Sequence, residues 1–348
     1  MRVLISLFLF SLLFSCKNAT DEVQKAFISV EVVDIYNDST LSIRAIELLN
    51  DKSLAFAANN GVFGLYNSQS NTWMTSIQKL DTFNLQFRAV AHTSTDFFML
   101  SGENPALLYK TGENGVMELV YKEESEKVFY DAMTFWNDKE GIAIGDPIDG
   151  CMSVIITQDG GETWTKVPCN NLPKIKEGEA AFAASNTNIA VVGDKTWIAT
   201  GGQTSRIFFS PDKGLTWEVS ETPMINAEAT TGIYSMDFYD EKNGFAIGGD
   251  YTKPDNNKAN KIMTDDGGET WTIVADGKEP GYRSCVQYVP NSNGNYLVTV
   301  GFKGVDFSND KGQSWKHLSD DSFYTIRFLN DSVAYAAGKG RISKLKFQ

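Results

Sequence analysis

Thr157-Gln-Asp159-Gly-Gly161-Glu-Thr163-Trp164 recurs three times in this 348-residue chain, as Ser210-Pro-Asp212-Lys-Gly214-Leu-Thr216-Trp217, Thr264-Asp-Asp266-Gly-Gly268-Glu-Thr270-Trp271 and Ser308-Asn-Asp310-Lys-Gly312-Gln-Ser314-Trp315. The shared pattern is hydroxyl-x-Asp-x-Gly-x-hydroxyl-Trp. A carboxylate two residues after a hydroxyl bonds the backbone of a tight turn, and glycine supplies the positive φ that the reversal requires. The tryptophan then opens a returning strand and brings a large ring to bury. Each copy reads as a hairpin loop with a structural aspartate (Asp159, Asp212, Asp266, Asp310) and a core indole (Trp164, Trp217, Trp271, Trp315). The tryptophans lie 53, 54 and 44 residues apart, a period that suits four short strands with loops of varying length.

The pattern resembles the Asp-box, or BNR, repeat. Two degenerate copies lie upstream: Tyr66-Asn-Ser68-Gln-Ser70-Asn-Thr72-Trp73 has lost Asp and Gly, and Lys110-Thr-Gly112-Glu-Asn114-Gly-Val116-Met117 has Met in place of Trp. The C-terminal stretch 333–347 reads as two more strands without a box, and Phe27-Ile-Ser-Val30-Glu-Val32-Val33 is a strand with nothing before it to pair. Pairing that segment as the outer strand of the last blade predicts an all-β fold, a seven-bladed β-propeller of four-stranded antiparallel blades. Such closure removes the exposed edges an open sheet would leave.

The predicted layout is a lipoprotein signal peptide over residues 1–15, a lipidated tether over 16–26 and the propeller over 27–348. Arg2 followed by the apolar run Val3 to Phe14 and by Leu13-Phe14-Ser15-Cys16 resembles a bacterial lipobox. Cys16 is then the lipidated residue, and the run is too short to span a membrane as a helix. The expected location is the cell envelope of a Gram-negative-type bacterium, with membrane contact through the anchor only. A net charge of −13 and a pI near 4.7 argue against nucleic acid as a partner. In an oxidising compartment, Cys151 and Cys169, equidistant from Gly160, either form a disulfide across the third blade's hairpin or are two buried thiols; Cys285 reads as a small core residue.

Alternation of strand direction places the boxes on one face, at the rim. The starts of the inner strands and the loops between second and third strands lie on the other face, around the central channel. Fourteen residues before the end of each second strand stand Arg44, Arg88, Asp131, Tyr234 and Tyr324, with Arg283 in the same place if one insertion is allowed and Glu179 at the same level. The facing loops add Glu103, Asp146, Asp149, Asp250, Lys253, Asp255 and Asp306. Arg44, Arg88 and Arg283 could grip a carboxylate or phosphate, with Glu179, Asp146, Asp250, Lys253 and Asp306 as further ligand-binding candidates. The other reading of the same residues is a network of ion pairs that locks the ring.

Gly145-Asp-Pro-Ile-Asp-Gly150, Gly178-Glu-Ala-Ala-Phe-Ala-Ala-Ser185, Gly248-Gly-Asp-Tyr-Thr-Lys-Pro-Asp255 and Gly281-Tyr-Arg-Ser284 resemble a family of exported bacterial BNR propellers similar to the photosystem II stability/assembly factors. That resemblance implies a propeller binding polypeptide through a patch of arginines; a photosynthetic role does not follow from it. Sialidases, the best-known Asp-box enzymes, suggest the alternative of a glycoside hydrolase with Glu179, Asp146 and Asp250 as candidate catalytic groups, but the chain lacks their Arg-Ile-Pro motif. An oxidoreductase fits less well, because no Gly-x-Gly-x-x-Gly opens a helix. Two isolated histidines, His92 and His317, and no Cys cluster imply no metal site and no cofactor. The expected partner is a protein segment or a glycan, bound by a monomer.

Overall fold

Each four-strand period folds into one antiparallel blade, and seven blades close a ring. The computed structural model describes residues 26–348 except 51, 82, 113 and 114. The expected signal peptide, the lipidation site Cys16 and residues 16–25 of the tether lie outside the described residues. The inner strands, in blade order, are Ala45–Leu48, Phe87–His92, Tyr130–Phe135, Ile189–Val192, Thr231–Phe238, Cys285–Tyr288 and Thr325–Phe328. Blade three is representative: Tyr130–Phe135 pairs with Gly141–Ile148, then Cys151–Thr157, then Thr165–Lys166. Its two middle strands are buried almost throughout, because a blade is covered on both faces by its neighbours.

Closure follows the sequence expectation and extends it. The outer strand of blade seven is Val30–Ser42, 13 residues long, paired antiparallel with Lys339–Phe347 from Val30 opposite Phe347 to Ser42 opposite Lys339. Two bulges, between Asp34 and Tyr36 and between Asn37 and Ser42, bend it round the rim. Phe27 is buried ahead of the strand, its ring 4.7 Å from Phe307 of blade six and 4.9 Å from Phe347 of blade seven.

The repeated turns behave alike. In the third blade Thr157 Oγ1 donates to Asp159 Oδ1 (2.8 Å) and accepts from the Gly161 amide (2.9 Å), while Asp159 accepts from the Thr163 amide (3.0 Å) and hydroxyl (2.6 Å). The other three turns repeat these bonds. Burial works against ionisation of Asp266, yet its hydrogen bonds prevail and bring its pKa down to about 2. A carboxylate depressed in this way stabilises the fold above its unfolded pKa of about 4, and that contribution is lost as the pH falls toward 2. The indoles fill the gaps between blades: Trp164 stands edge-on to Phe98 of blade two and Phe135 of blade three, and Trp315 packs on Phe245 of blade five.

Cys151 and Cys169 are joined in a disulfide with Cα atoms 5.6 Å apart. Cys169 belongs to a short turn, Cys169–Asn171, that follows the fourth strand of blade three, so the bond ties this turn back to the start of the third strand. With 18 residues of sequence separation, Cys151→Ser is expected to cost roughly 3 kcal/mol from loop entropy. The matching check is an equal shift in the urea midpoint on reduction of the wild type, and no further shift on reduction of the variant.

Candidate functional site

On the face opposite the repeated turns, the channel mouth opens into a cavity of about 450 Å³ lined by Arg44, Arg88, Asp131 and Asp146 among aromatic residues. Three of its side chains arrive through the same backbone device. The inner strands slip register between Phe87 and Ala89, between Tyr130 and Ala132, and between Ile233 and Ser235. The unpaired residues of these bulges are Arg88, Asp131 and Tyr234. A bulge re-aims a side chain that strict alternation would send elsewhere. Arg44 and Tyr324 stand one residue before their inner strands and reach the same cavity.

The two guanidinium groups are held by stacking. Arg44 lies over the Tyr324 ring, 4.2 Å from its centroid, and Arg88 over Phe129 at 5.9 Å. Arg44 also donates to the Ala184 carbonyl at 3.5 Å. The Nε–H groups of both arginines are buried without an acceptor, and among the described residues no carboxylate comes within ion-pair distance of either. Burial, then the neighbouring charge of Arg44, lowers the proton affinity of Arg88. Two like charges held side by side in a half-buried cavity form a site short of an anion.

The rest of the wall is acidic and aromatic. Asp131 is buried; the Ala183 amide approaches it, but neither oxygen has a well-formed hydrogen bond. Burial, then the nearby charge of Asp146, raises its pKa well above the usual carboxylate range. Asp146 accepts from the Ala181 amide at 3.0 Å, and burial pushes it up to about 6. Phe182 stacks flat on Tyr234, with centroids 4.1 Å apart, and Tyr282 meets the Tyr234 ring edge-on at 4.8 Å. Tyr251 and Phe302 complete this wall from the rim.

The other residues singled out in the sequence do not line the cavity, and Arg283, Asp306, Glu179, Asp250, Lys253 and Asp255 each have a structural partner. Arg283 is a correction: it is buried and paired through Nε with Asp306 Oδ2 at 2.6 Å. The residue in register with Arg44 is Ser284, one position before its strand, so Arg283 points to the opposite face. Asp306 lies inside the third strand of blade six, holding Arg283 and His317 (2.9 Å). Glu179 is also a correction, since the inner strand of blade four begins ten residues later, at Ile189. It is gripped by Arg206 (Nε to Oε1 3.0 Å, Nη2 to Oε2 2.5 Å) and by the Thr200 hydroxyl at 2.7 Å.

That clamp positions the segment behind it. Glu179–Ala180 pairs with Gly201–Gly202, and Gly201 with Gly232, which carries Phe182 and its alanines across the mouth. A Cβ on Gly232 would stand 2.4 Å from the Gly201 Cα, so only glycine allows this approach. Asp250 is buried and accepts from the Thr252 amide (2.9 Å) and hydroxyl (2.7 Å). Lys253 is exposed, 3.7 Å from Asp250. Ring-locking ion pairs exist on both faces: Lys213 with Glu140 (2.5 Å) and Lys195 with Glu241 (2.9 Å) on the turn-bearing face, and Lys303 of blade six with Asp255 of blade five (3.0 Å) on the other. Among the described residues no group of three His, Cys, Asp or Glu side chains could hold a metal ion.

Phe129, Phe182, Tyr251, Tyr282 and Phe302 were not singled out by sequence reasoning. A signal was available, because Phe182, Tyr251, Tyr282 and Asp146 each lie in one of the four glycine-led segments quoted above.

No protein-family model matches the chain, and no curated protein matches its sequence. Solved structures do match it. They include a streptogramin B lyase (15% identity, TM-score 0.66, covering 93% of this chain and 100% of that one). YCF48 bound to D1 peptide matches at 13% identity and TM-score 0.65, covering 93% and 98%. YCF48 from Cyanidioschyzon merolae matches at 12% identity and TM-score 0.62, covering 92% and 98%. At these identities the likeness shows the fold alone.

Proposed function

We propose that this chain is an exported, lipid-anchored propeller, acylated on Cys16, that binds an acidic stretch of polypeptide at its channel mouth. The observation that carries the binding reading is the pair Arg44 and Arg88, stacked, half-buried and, among the described residues, without a carboxylate within ion-pair distance. A polypeptide supplies both what the arginines lack and what the aromatic wall can cover, an anionic side chain flanked by apolar ones. That YCF48, a propeller of similar shape, has been solved bound to D1 peptide favours polypeptide over other anions. The export reading rests on the Leu13-Phe14-Ser15-Cys16 motif; it is tested by metabolic labelling with a fatty acid, which Cys16→Ala should abolish.

Binding is tested by calorimetry with a library of short acidic peptides against neutral ones of equal length. Its pH dependence has a definite sign. Asp146 titrates near 6, so an anion that stays ionised binds more weakly as the pH rises from 5 to 7.5 and the cavity gains negative charge. The expected loss is roughly threefold to tenfold, and Asp146→Asn should flatten the profile. The same titration acts on stability. The unfolded carboxyl loses its proton near pH 4, so between pH 4 and 6 the folded state holds the extra proton and stability declines with rising pH.

A glycan hydrolase is the second reading, favoured by one observation: Asp131 and Asp146 share an aromatic-walled cavity and both hold their protons above the usual range. It no longer rests on Glu179 or Asp250. Turnover of a glycan by the wild type that is lost in Asp146→Asn would replace the binding reading with this one.

A further inference from the structure

A gap between blades one and two opens on the turn-bearing face, a cavity of about 590 Å³ lined by Ala55, Phe63, Leu65, Met74, Phe97 and Met117 together with hydroxyl and amide side chains of the adjoining turns. Its origin can be read from the repeat. In blades one, three, four, five and six an indole opens the fourth strand (Trp73, Trp164, Trp217, Trp271, Trp315) and packs toward the preceding blade. Blade two has Met117 at that position. The facing residue of the preceding blade is reduced as well. The second ladder pair of the inner hairpin brings Phe98, Phe245 and Tyr335 to this level in blades two, five and seven, and Ile142, Thr196 and Val298 in blades three, four and six. In blade one the same pair brings Ala55, opposite Glu47. Two substitutions on facing blades leave a slot that elsewhere in the ring holds an aromatic side chain.

Exposed apolar side chains stand beside the slot. Met74, in its wall, and Val116, between the lining residues Gly115 and Met117, are each 64% exposed, and Leu119, two residues after Met117 on the outer strand of blade two, is 44% exposed. Contiguous exposed apolar side chains around a cavity mark an interaction site, and a central ring in a pocket with an apolar surround is how a protein interface is anchored.

We propose that this rim is a second docking surface, distinct from the channel mouth and independent of it. It receives a tryptophan side chain of a partner polypeptide into the slot that Met117 and Ala55 leave open. The occupant is specified by the chain itself, because the five equivalent positions hold indole and the slot is flanked by the same strand framework. Met74 and Met117 at its wall add polarisable sulfur contacts to an aromatic guest.

The test uses the full chain and N-acetyl-tryptophanamide as the probe, followed by calorimetry and by saturation-transfer NMR. The wild type is expected to bind it saturably, and N-acetyl-leucinamide at least tenfold more weakly. Met117→Trp should fill the slot from within, abolish probe binding and raise the melting temperature by roughly 2–4 °C. Ala55→Phe closes the slot from the other blade and gives the same loss if the first variant does not fold. The proposal is overturned if the wild type shows no saturable binding, if Met117→Trp and Ala55→Phe bind the probe as the wild type does, or if the leucine analogue binds equally well. A concentration-dependent dimer that the probe dissolves would also overturn it, by making a second copy of this chain the occupant.

Discussion

Replacing both Arg44 and Arg88 by alanine is expected to weaken binding of an acidic peptide by about 30-fold or more, with each single change costing roughly tenfold. The two guanidinium groups meet one anion in a cavity that already excludes part of the solvent, where charge-assisted hydrogen bonds are strongest. Truncating either half-buried Arg is expected to cost about 1.4 kcal/mol, a factor of ten, and two residues acting on one group are not additive. Lysine at either position should recover only part of the affinity, because it keeps the charge but lacks the planar fork that both stacks on the ring and bonds the anion. Calorimetry at two salt concentrations checks this, since the wild-type affinity should fall with salt and that of the double variant should not. Arg283→Ala is the control. It should leave peptide affinity unchanged and cost about 3 kcal/mol of stability, because it strips the main partner from the buried carboxylate of Asp306. Loss of affinity in Arg283→Ala with none in the Arg44 and Arg88 variants would remove the site from the channel mouth.

A chain that begins at residue 43 is expected not to fold. Removing Val30–Ser42 deletes the whole outer strand of blade seven and its ladder with Lys339–Phe347, and takes Phe27 from its ring contacts with Phe307 and Phe347. The apolar surface and unpaired backbone exposed this way outweigh the 5–15 kcal/mol that an average domain holds in reserve, and the bare edge invites association. Circular dichroism and sedimentation of the truncated protein check the outcome; a monomer with a cooperative thermal transition would contradict it. Phe27→Ala is the graded version, expected to cost about 3 kcal/mol and still to fold.

Strand order, blade number and closure were legible because they depend on local chemistry that repeats. The box tryptophans mark the fourth strands, the polar Asn/Asp turns mark the inner hairpins, and an unpaired segment at each end of the chain leaves one way to complete the ring. The site was legible only in part. Arg44, Arg88, Asp131, Tyr234 and Tyr324 were found by counting back along the strands and Asp146 among the facing loops, and they do meet in one cavity. Arg283 failed by one residue, and with a side-chain period of two one residue is the difference between the cavity and the core. Glu179 failed because the chain before blade four does not run along the ring as the other blades do. It crosses the mouth and pairs with glycines of a neighbouring sheet.

The sequence by itself determined the architecture, because four hydroxyl-Asp-Gly-Trp turns at a blade-length period each specify a hairpin from within eight residues. Tertiary structure alone decided which charges are free. Asp306 and Arg206 neutralise Arg283 and Glu179, while Arg44 and Arg88 stack on rings contributed by other parts of the chain and have no carboxylate within ion-pair distance among the described residues. Whether a charged side chain is spent on the scaffold or left to a ligand depends on partners brought together across the ring, and these are separated in the chain by up to 280 residues, as Arg44 is from Tyr324.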